Sequence, residues 1–354
     1  MMLEPIIAQF LVPGVLASAE RYGSGLINET WLCRFTGPGG EKRLILQRIN
    51  RSVFPRPELV MENIGTVTGH MRERLRREGV AEPKAVLPTL VHTRDHAVCH
   101  VDGSGDVWRM FHFIENGEVF DVVQGPAHAF QVGRALGRFQ ALLSDLPPEK
   151  LHDTLPGFHY TTRYLQELRE AVRKDVVGRA AEVRSELALV ESRSGYASML
   201  LDARDSGRIP MRIVHNDPKV NNVLIHRETG AAICMVDLDT VKPGIVPFDF
   251  GDCVRSAANR VGEDAEDLDA VQFDRPCYDA ILRGYLSEAS AFLTAQERDL
   301  LPVSVRVITY ELGVRFLADH LRGDTYFRVR YPGHNLRRAQ VQFRLLERVE
   351  AAGV

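Results

Sequence analysis

The sequence predicts an α+β chain with a small antiparallel-sheet region carrying one helix, followed by a larger, mainly helical region. Three observations carry this reading. Before residue 116, apolar residues alternate in short runs between Gly-, Pro- and Asp-rich turns, the mark of hairpin strands. Within that stretch, Val60, Ile64, Val67, Met71 and Leu75 recur at steps of four and three, an amphipathic helix. Beyond residue 117 the apolar spacing is helical over long windows. The 354 residues are enough for two such regions, 1–116 and 117–354.

Taken in order, residues 5–18 are apolar with Pro5 and Pro13 and read as a short helix and a turn. Gly23-Ser24-Gly25 reads as a hairpin tip. Gly37-Pro38-Gly39-Gly40 is a turn. Residues 43–49 form a strand with Leu44, Leu46 and Arg48 on one face and Ile45, Gln47 and Ile49 on the other. Residues 85–101 and 106–115 read as two strands joined by the tip Asp102-Gly-Ser-Gly-Asp106. Helical spacing covers 127–146, 161–177, 180–201, 277–321 and 334–350, and the acidic stretch 261–270 reads as a solvated loop.

The chemistry concentrates in one stretch. His215-x-Asp217 is followed after four residues by Asn222, and then, past a short strand, a turn and an apolar strand, by Asp237. That is the H-x-D-x4-N spacing of a kinase catalytic loop followed by a metal-binding acid. Phosphoryl transfer needs a positioned acceptor hydroxyl and metal-bound phosphates rather than covalent help. Asp217 is placed to accept the hydroxyl proton, Asn222 and Asp237 to offer oxygens to Mg2+, and His215 to brace the loop. Asp237 and Asp239 alternate, so either could be the metal ligand; the apolar run delivers Asp237 directly. Asp249 either braces this loop or caps a helix.

This reading gives the N-terminal residues their roles. The small residues Gly23, Ser24 and Gly25 would let backbone N–H groups approach phosphates. A kinase's third strand carries a lysine for the nucleotide phosphates. Here Gln47 or Arg48 takes that role, or nothing does, and Glu62 on the first long helix is the matching partner for Arg48. Backbone groups from Phe113 to Glu115 stand where a hinge meets adenine. Arg315 and Asp319 are spaced i, i+4, as in a surface ion pair.

A net charge of −3 gives no reason to expect nucleic acid as a partner. No apolar run is long enough to span a membrane. The chain starts with no signal-peptide pattern. Five scattered cysteines argue for a reducing compartment. A soluble, cytoplasmic protein is expected.

The loop and Asp237 resemble the aminoglycoside phosphotransferase and choline kinase branch of the protein-kinase-like fold. The phrases around them are similar to the N-acetylhexosamine 1-kinases: His215-Asn-Asp-Pro-Lys-Val-Asn-Asn-Val-Leu224, Val236-Asp-Leu-Asp-Thr-Val-Lys-Pro-Gly244, Asp249-Phe-Gly-Asp252, Ile45-Leu-Gln-Arg-Ile-Asn50, and Arg315-Phe-Leu-Ala-Asp319 through Phe327. The likeness runs from about residue 22 to residue 340. It implies a two-lobe kinase fold, ATP with Mg2+, and phosphorylation of the anomeric hydroxyl of GlcNAc or GalNAc. It places the base on Asp217 and metal ligands on Asn222 and Asp237, and it makes Arg315 and Tyr326 candidates for the acceptor pocket; Asp239 is expected beside them on the acceptor side. The chain departs from that pattern at Leu26 (commonly His) and Pro218 (commonly Thr), which bears on sugar identity. An aminoglycoside or amino-alcohol kinase and a catalytically silent nucleotide-binding module are the rival readings.

Overall fold

The structure, a computed structural model, describes residues 3–23 and 27–354. It has the expected α+β architecture. A five-stranded antiparallel sheet has the order β1-β2-β3-β5-β4, built from β1 (Val15–Arg21), β2 (Glu29–Gly37), β3 (Gly40–Arg48), β4 (His100–Val101) and β5 (Val107–His112). A short helix, α1 (Glu4–Ile7), precedes it, and α2 (Pro57–Arg77) lies between β3 and β4.

The two faces of this sheet have different fates, and strand parity decides which residue goes where. Trp31, Cys33, Phe35, Leu44, Leu46, Trp108 and Met110 face outward onto Ile7, Phe10 and Val91. The opposite face presents Ile49, Val107 and Phe111 to the apolar stripe of α2, the one predicted from Val60 to Leu75.

Two expected elements of the sheet region differ. Residues 15–18 belong to β1 rather than to a turn. Of residues 85–101, only His100–Val101 is strand; a Thr93–Ala97 turn with His96 at φ 66° interrupts the rest. The Asp102 tip forms as expected. The Oδ1 of Asp102 accepts the N–H groups of Ser104 and Asp106 at 2.9 and 3.0 Å, so the side chain closes the turn.

The remaining chain is mainly helical: α3 (Pro126–Leu142), α4 (Thr161–Lys174), α5 (Arg184–Ser192), α6 (Tyr196–Asp205), α7 (Val246–Ala257), α8 (Arg275–Ala289), α9 (Ala295–Leu321) and α10 (His334–Ala351). The single helix expected over 180–201 is split before Gly195. Short strands β6 (Gly117–Glu118), β8 (Val223–His226) and β9 (Ala232–Met235) form one small sheet; β7 (Arg212–Val214) and β10 (Lys242–Gly244) form another. The acidic loop is anchored rather than free, because Asp264 takes His334 at 3.0 Å and Arg338 at 2.6 Å.

Helices α3 and α8 touch backbone to backbone. A Cβ on Gly133 would lie 2.1 Å from the carbonyl oxygen of Ile281, and one on Gly284 would lie 2.0 Å from that of Phe130. Both positions therefore require glycine at this spacing. Among the described residues, no helix is long and apolar enough to cross a membrane.

Candidate active site

Strand β7 delivers the loop. Ile213 and Val214 are buried, and His215 follows with no exposed surface. Its Nε2 lies 3.0 Å from the carbonyl of Val236, which can only accept, so Nε2 carries the proton. Among the described residues nothing pairs with Nδ1. Burial lowers the pKa of His215, so a sealed, neutral imidazole ties the loop to the segment after β9.

The loop backbone is held by one acid. Asp249, on the first turn of α7, accepts the N–H of His215 at 2.8 Å and that of Asn216 at 2.7 Å. Gln140 of α3 donates to it at 2.8 Å and accepts the Tyr285 hydroxyl of α8 at 2.6 Å. Of its two expected roles, Asp249 therefore takes the brace, and the cap position of α7 is Ile245. Asn216 sits at φ 65°, a left-handed conformation that asparagine tolerates, and donates to Thr240 O at 2.8 Å.

These ties leave Asp217 partly exposed, with Lys219 Nζ 2.8 Å from its Oδ2. The Nδ2 of Asn222 faces the carbonyl of Asp217 at 2.8 Å, which fixes the amide's orientation and turns its oxygen away. Asp237 does not continue the strand. It adopts φ 62°, ψ 63°, and a single 3-10 turn (Leu238–Thr240) follows. That break separates the two acids. Asp239 is buried; its Oδ1 pairs with Arg109 and its Oδ2 accepts from Asn28 at 2.6 Å. With both oxygens engaged, Asp239 is free neither for a metal nor for an acceptor, contrary to its expected place on the acceptor side.

Asp237 keeps open surface as a residue, but the protein crowds its carboxyl group, which accepts no hydrogen bond among the described residues. Desolvation by the surrounding protein, then the carboxylates of Asp239 and Asp217, push its pKa from 3.8 up to about 7, while Lys219 and Arg109 oppose this. The Val236 N–H meets the Asn222 backbone carbonyl at 2.8 Å, which brings the two segments together, and a carboxylate with no hydrogen bond together with an amide oxygen are hard donors of the kind that fits Mg2+.

The pH consequence has a definite sign. The folded, metal-free protein holds a proton on Asp237 that the unfolded chain has released. This contribution to stability is therefore complete below about pH 4 and is lost as pH rises towards 7. Thermal unfolding of the metal-free protein across that window should fall more steeply in the wild type than in Asp237→Asn. Parallel profiles would contradict it.

The third-strand prediction needs correcting. Arg48 shares the outward face with Leu44 and Leu46. It pairs there with Glu29 and, at 3.0 Å, with Asp106, and its guanidinium lies 5.9 Å from the Trp108 ring. Glu62 is exposed and bonds His152 at 2.7 Å instead. Strand alternation sends Gln47, not Arg48, inward. There its Oε1 accepts from Arg109 of β5 at 2.9 Å.

At the expected hinge, the Phe113 N–H already goes to the Arg43 carbonyl at 3.2 Å and Glu115 pairs with Arg43. Among the described residues no protein acceptor takes the amides of Ile114 and Glu115. Gly23 has φ 76°, as a tight tip requires; Ser24 and Gly25 lie outside the described residues.

The predicted Arg315–Asp319 pair does not form. Asp319 is buried and collects the N–H groups of Thr325, Tyr326 and Phe327 at 2.9–3.0 Å, pinning that loop. Arg315 points into aromatic rings, 4.9 Å from Tyr164, 5.2 Å from Phe158, 5.5 Å from Phe327 and 6.0 Å from the exposed Tyr326. Phe158 also lines a cavity of about 80 Å³ with Asn216, Lys242 and Phe248.

Two residues escaped the sequence reading. Lys219 stands inside the loop motif, two positions after Asp217. Arg109 is a charge in an apolar strand, which by itself signals a buried partner.

The phosphotransferase enzyme family (APH) matches residues 18–286. The chain belongs to that family. Solved structures of similar shape include a microcompartment-associated aminopropanol kinase, at 17% identity and TM-score 0.65, over 99% of this chain and 97% of that one. An aminoglycoside phosphotransferase from Alicyclobacillus acidocaldarius subsp. acidocaldarius matches at 13% identity and TM-score 0.64, over 99% and 96%. A spectinomycin phosphotransferase in complex with ADP and spectinomycin matches at 10% and 0.60, over 99% and 97%. This APH phosphotransferase thus shares the protein-kinase-like fold of those enzymes along nearly its whole length.

Proposed function

We propose that this APH phosphotransferase moves the γ-phosphoryl group of ATP to a hydroxyl of an N-acetylhexosamine, giving the sugar 1-phosphate. Mg2+, held by Asn222 and Asp237, would neutralise the phosphate charge. Asp217 orients the anomeric hydroxyl and takes its proton as the oxygen–phosphorus bond forms and ADP leaves. Lys219 screens Asp217 and offers a cation to the transferring group.

The observation that carries the acceptor class is Arg315. Its guanidinium lies among aromatic rings and has no carboxylate partner among the described residues. The acids near it are committed elsewhere: Glu311 to His159 and Thr161, Asp252 to Arg255. A cationic amine placed 4 Å from this guanidinium would meet a repulsion of roughly 4 kcal/mol at an effective dielectric near 20. An acetamido carbonyl or a ring hydroxyl would instead accept from it. The phrase-level resemblance to N-acetylhexosamine 1-kinases supports the same class.

ADP release with Mg-ATP, measured across N-acetylhexosamines, plain hexoses, aminoglycosides and amino alcohols, tests this. Stimulation by GlcNAc or GalNAc, with an acid-labile sugar phosphate as product, is expected. Stimulation by cationic acceptors alone would overturn the sugar assignment, and silence with ATP still bound would favour a non-catalytic module. In Arg315→Met, the acceptor KM should rise about 10–100-fold, the worth of a charged hydrogen bond, with the ATP KM unchanged. Equal changes in both would place Arg315 outside the acceptor pocket.

A further inference from the structure

We infer that Arg109 and Asp239 form an ion pair between the sheet and the helical region that sets the position of Asp237, in place of the usual strand-3 lysine and its helix glutamate. This rests on the phosphotransferase reading of the site. Position 47, where that lysine is expected, is glutamine. In the β3–β5 register Gln47 lies directly opposite Arg109. Gln47 is neutral, and it holds the Nε of Arg109 at 2.9 Å, so the cation arrives from the neighbouring strand.

Among the described residues, Arg109 has one ion-pair partner, Asp239. Only 1% of its surface is exposed. Its guanidinium lies 5.2 Å from the Phe111 ring and 3.9 Å from the sulfur of Met61 on α2, and it pairs with Asp239. Helix α2 supplies no acid to it, since Glu62 is exposed and bonded to His152. The other oxygen of Asp239 takes Asn28 at 2.6 Å, and Asn28 in turn accepts the Asn50 N–H at 3.0 Å. Two sheet-region side chains thus converge on a carboxylate two positions beyond Asp237, Arg109 held in turn by Gln47 and Asn28 by Asn50.

That placement has a mechanical result. Asp237 is left-handed and is followed by one 3-10 turn, so the Asp239 side chain is the handle by which the sheet holds the turn. Arg109 is a positioning residue: it acts on the metal side through Asp239 and need not touch the phosphates.

Titration calorimetry of Mg2+-dependent ATP binding, in the absence of any acceptor, is the test. Arg109→Gln and Asp239→Asn should each raise the Mg2+ half-saturation about 10–100-fold, the usual cost of losing a residue that orients a metal ligand. Arg109→Lys should recover part of the loss. Arg109→Met/Asp239→Leu, which removes both charges, keeps a folded protein in hand if the single variants do not fold, since neither charge is then left buried alone. It should show the same weakened Mg2+ response with near wild-type melting. Folded variants whose Mg2+ half-saturation stays within twofold of wild type would overturn the inference, leaving the pair a stability feature only. Wild-type protein that binds no Mg-ATP would overturn the phosphotransferase reading as well, whereas binding without sugar-stimulated turnover would affect only the acceptor.

Discussion

Asp217→Asn should fold, melt like the wild type and bind Mg-ATP, yet lose about 10²–10⁴-fold in kcat, the span expected for a general base. Asparagine keeps the shape and the contact with Asn222 but cannot take a proton. The fold should tolerate the change because Asp217 is partly exposed, with 29% of its side-chain surface open, and its partner Lys219 is 39% open. Lys219 then loses a screened pair rather than a buried one, a small stability term. Single-turnover measurements at saturating ATP and acceptor check this. Near-normal turnover would remove Asp217 from the role of base.

Asp249→Ala acts in the reverse manner, through the scaffold. Its carboxylate accepts two backbone N–H groups and the Gln140 amide, all buried. Removing it strands three donors. Hydrogen bonds to a charged group are worth about 1.5–3 kcal/mol each, so a loss of about 3 kcal/mol or more is expected. The variant that remains folded should also lose about 100-fold in kcat, because the loop that aims Asp217 loses its anchor. Urea unfolding and kcat measured on the same preparation check both. Asp249→Asn should fall between, since it keeps one acceptor oxygen but turns an amide NH2 group, itself a donor, towards donors. A stable, fully active Asp249→Ala would show that the backbone holds itself.

The contrast between these residues explains what could be seen before folding. The H-x-D-x4-N loop is local, its meaning lies in spacing along the chain, and the α2 stripe and the Asp102 tip are local in the same way. Arg109 and Asp239 are 130 positions apart, and they meet only because β5 pairs with β3 in one register. The Arg48 expectation missed by one residue, and in a strand one residue is the difference between faces. Arg315 and Asp319 have ion-pair spacing, but three loop amides compete for the carboxylate and win. The strand expected over 85–101 shows the limit of alternation where a turn can satisfy the same backbone groups.

The glycine contact between α3 and α8 reaches further than packing. Gln140 rides on α3 and Tyr285 on α8, and their 2.6 Å bond leads through Asp249 to the loop. Three hydrogen atoms, on Gly133, Gly137 and Gly284, therefore act as shims that set the calibration of a centre none of them touches. A Cβ at Gly137 would meet the carbonyl oxygen of Tyr285 itself at 2.5 Å. Enzyme engineers seeking a faster or broader variant would screen the pocket lining. The quieter adjustment lies in the gap between these two helices, where a wider spacing would detune the loop and leave every pocket residue unchanged.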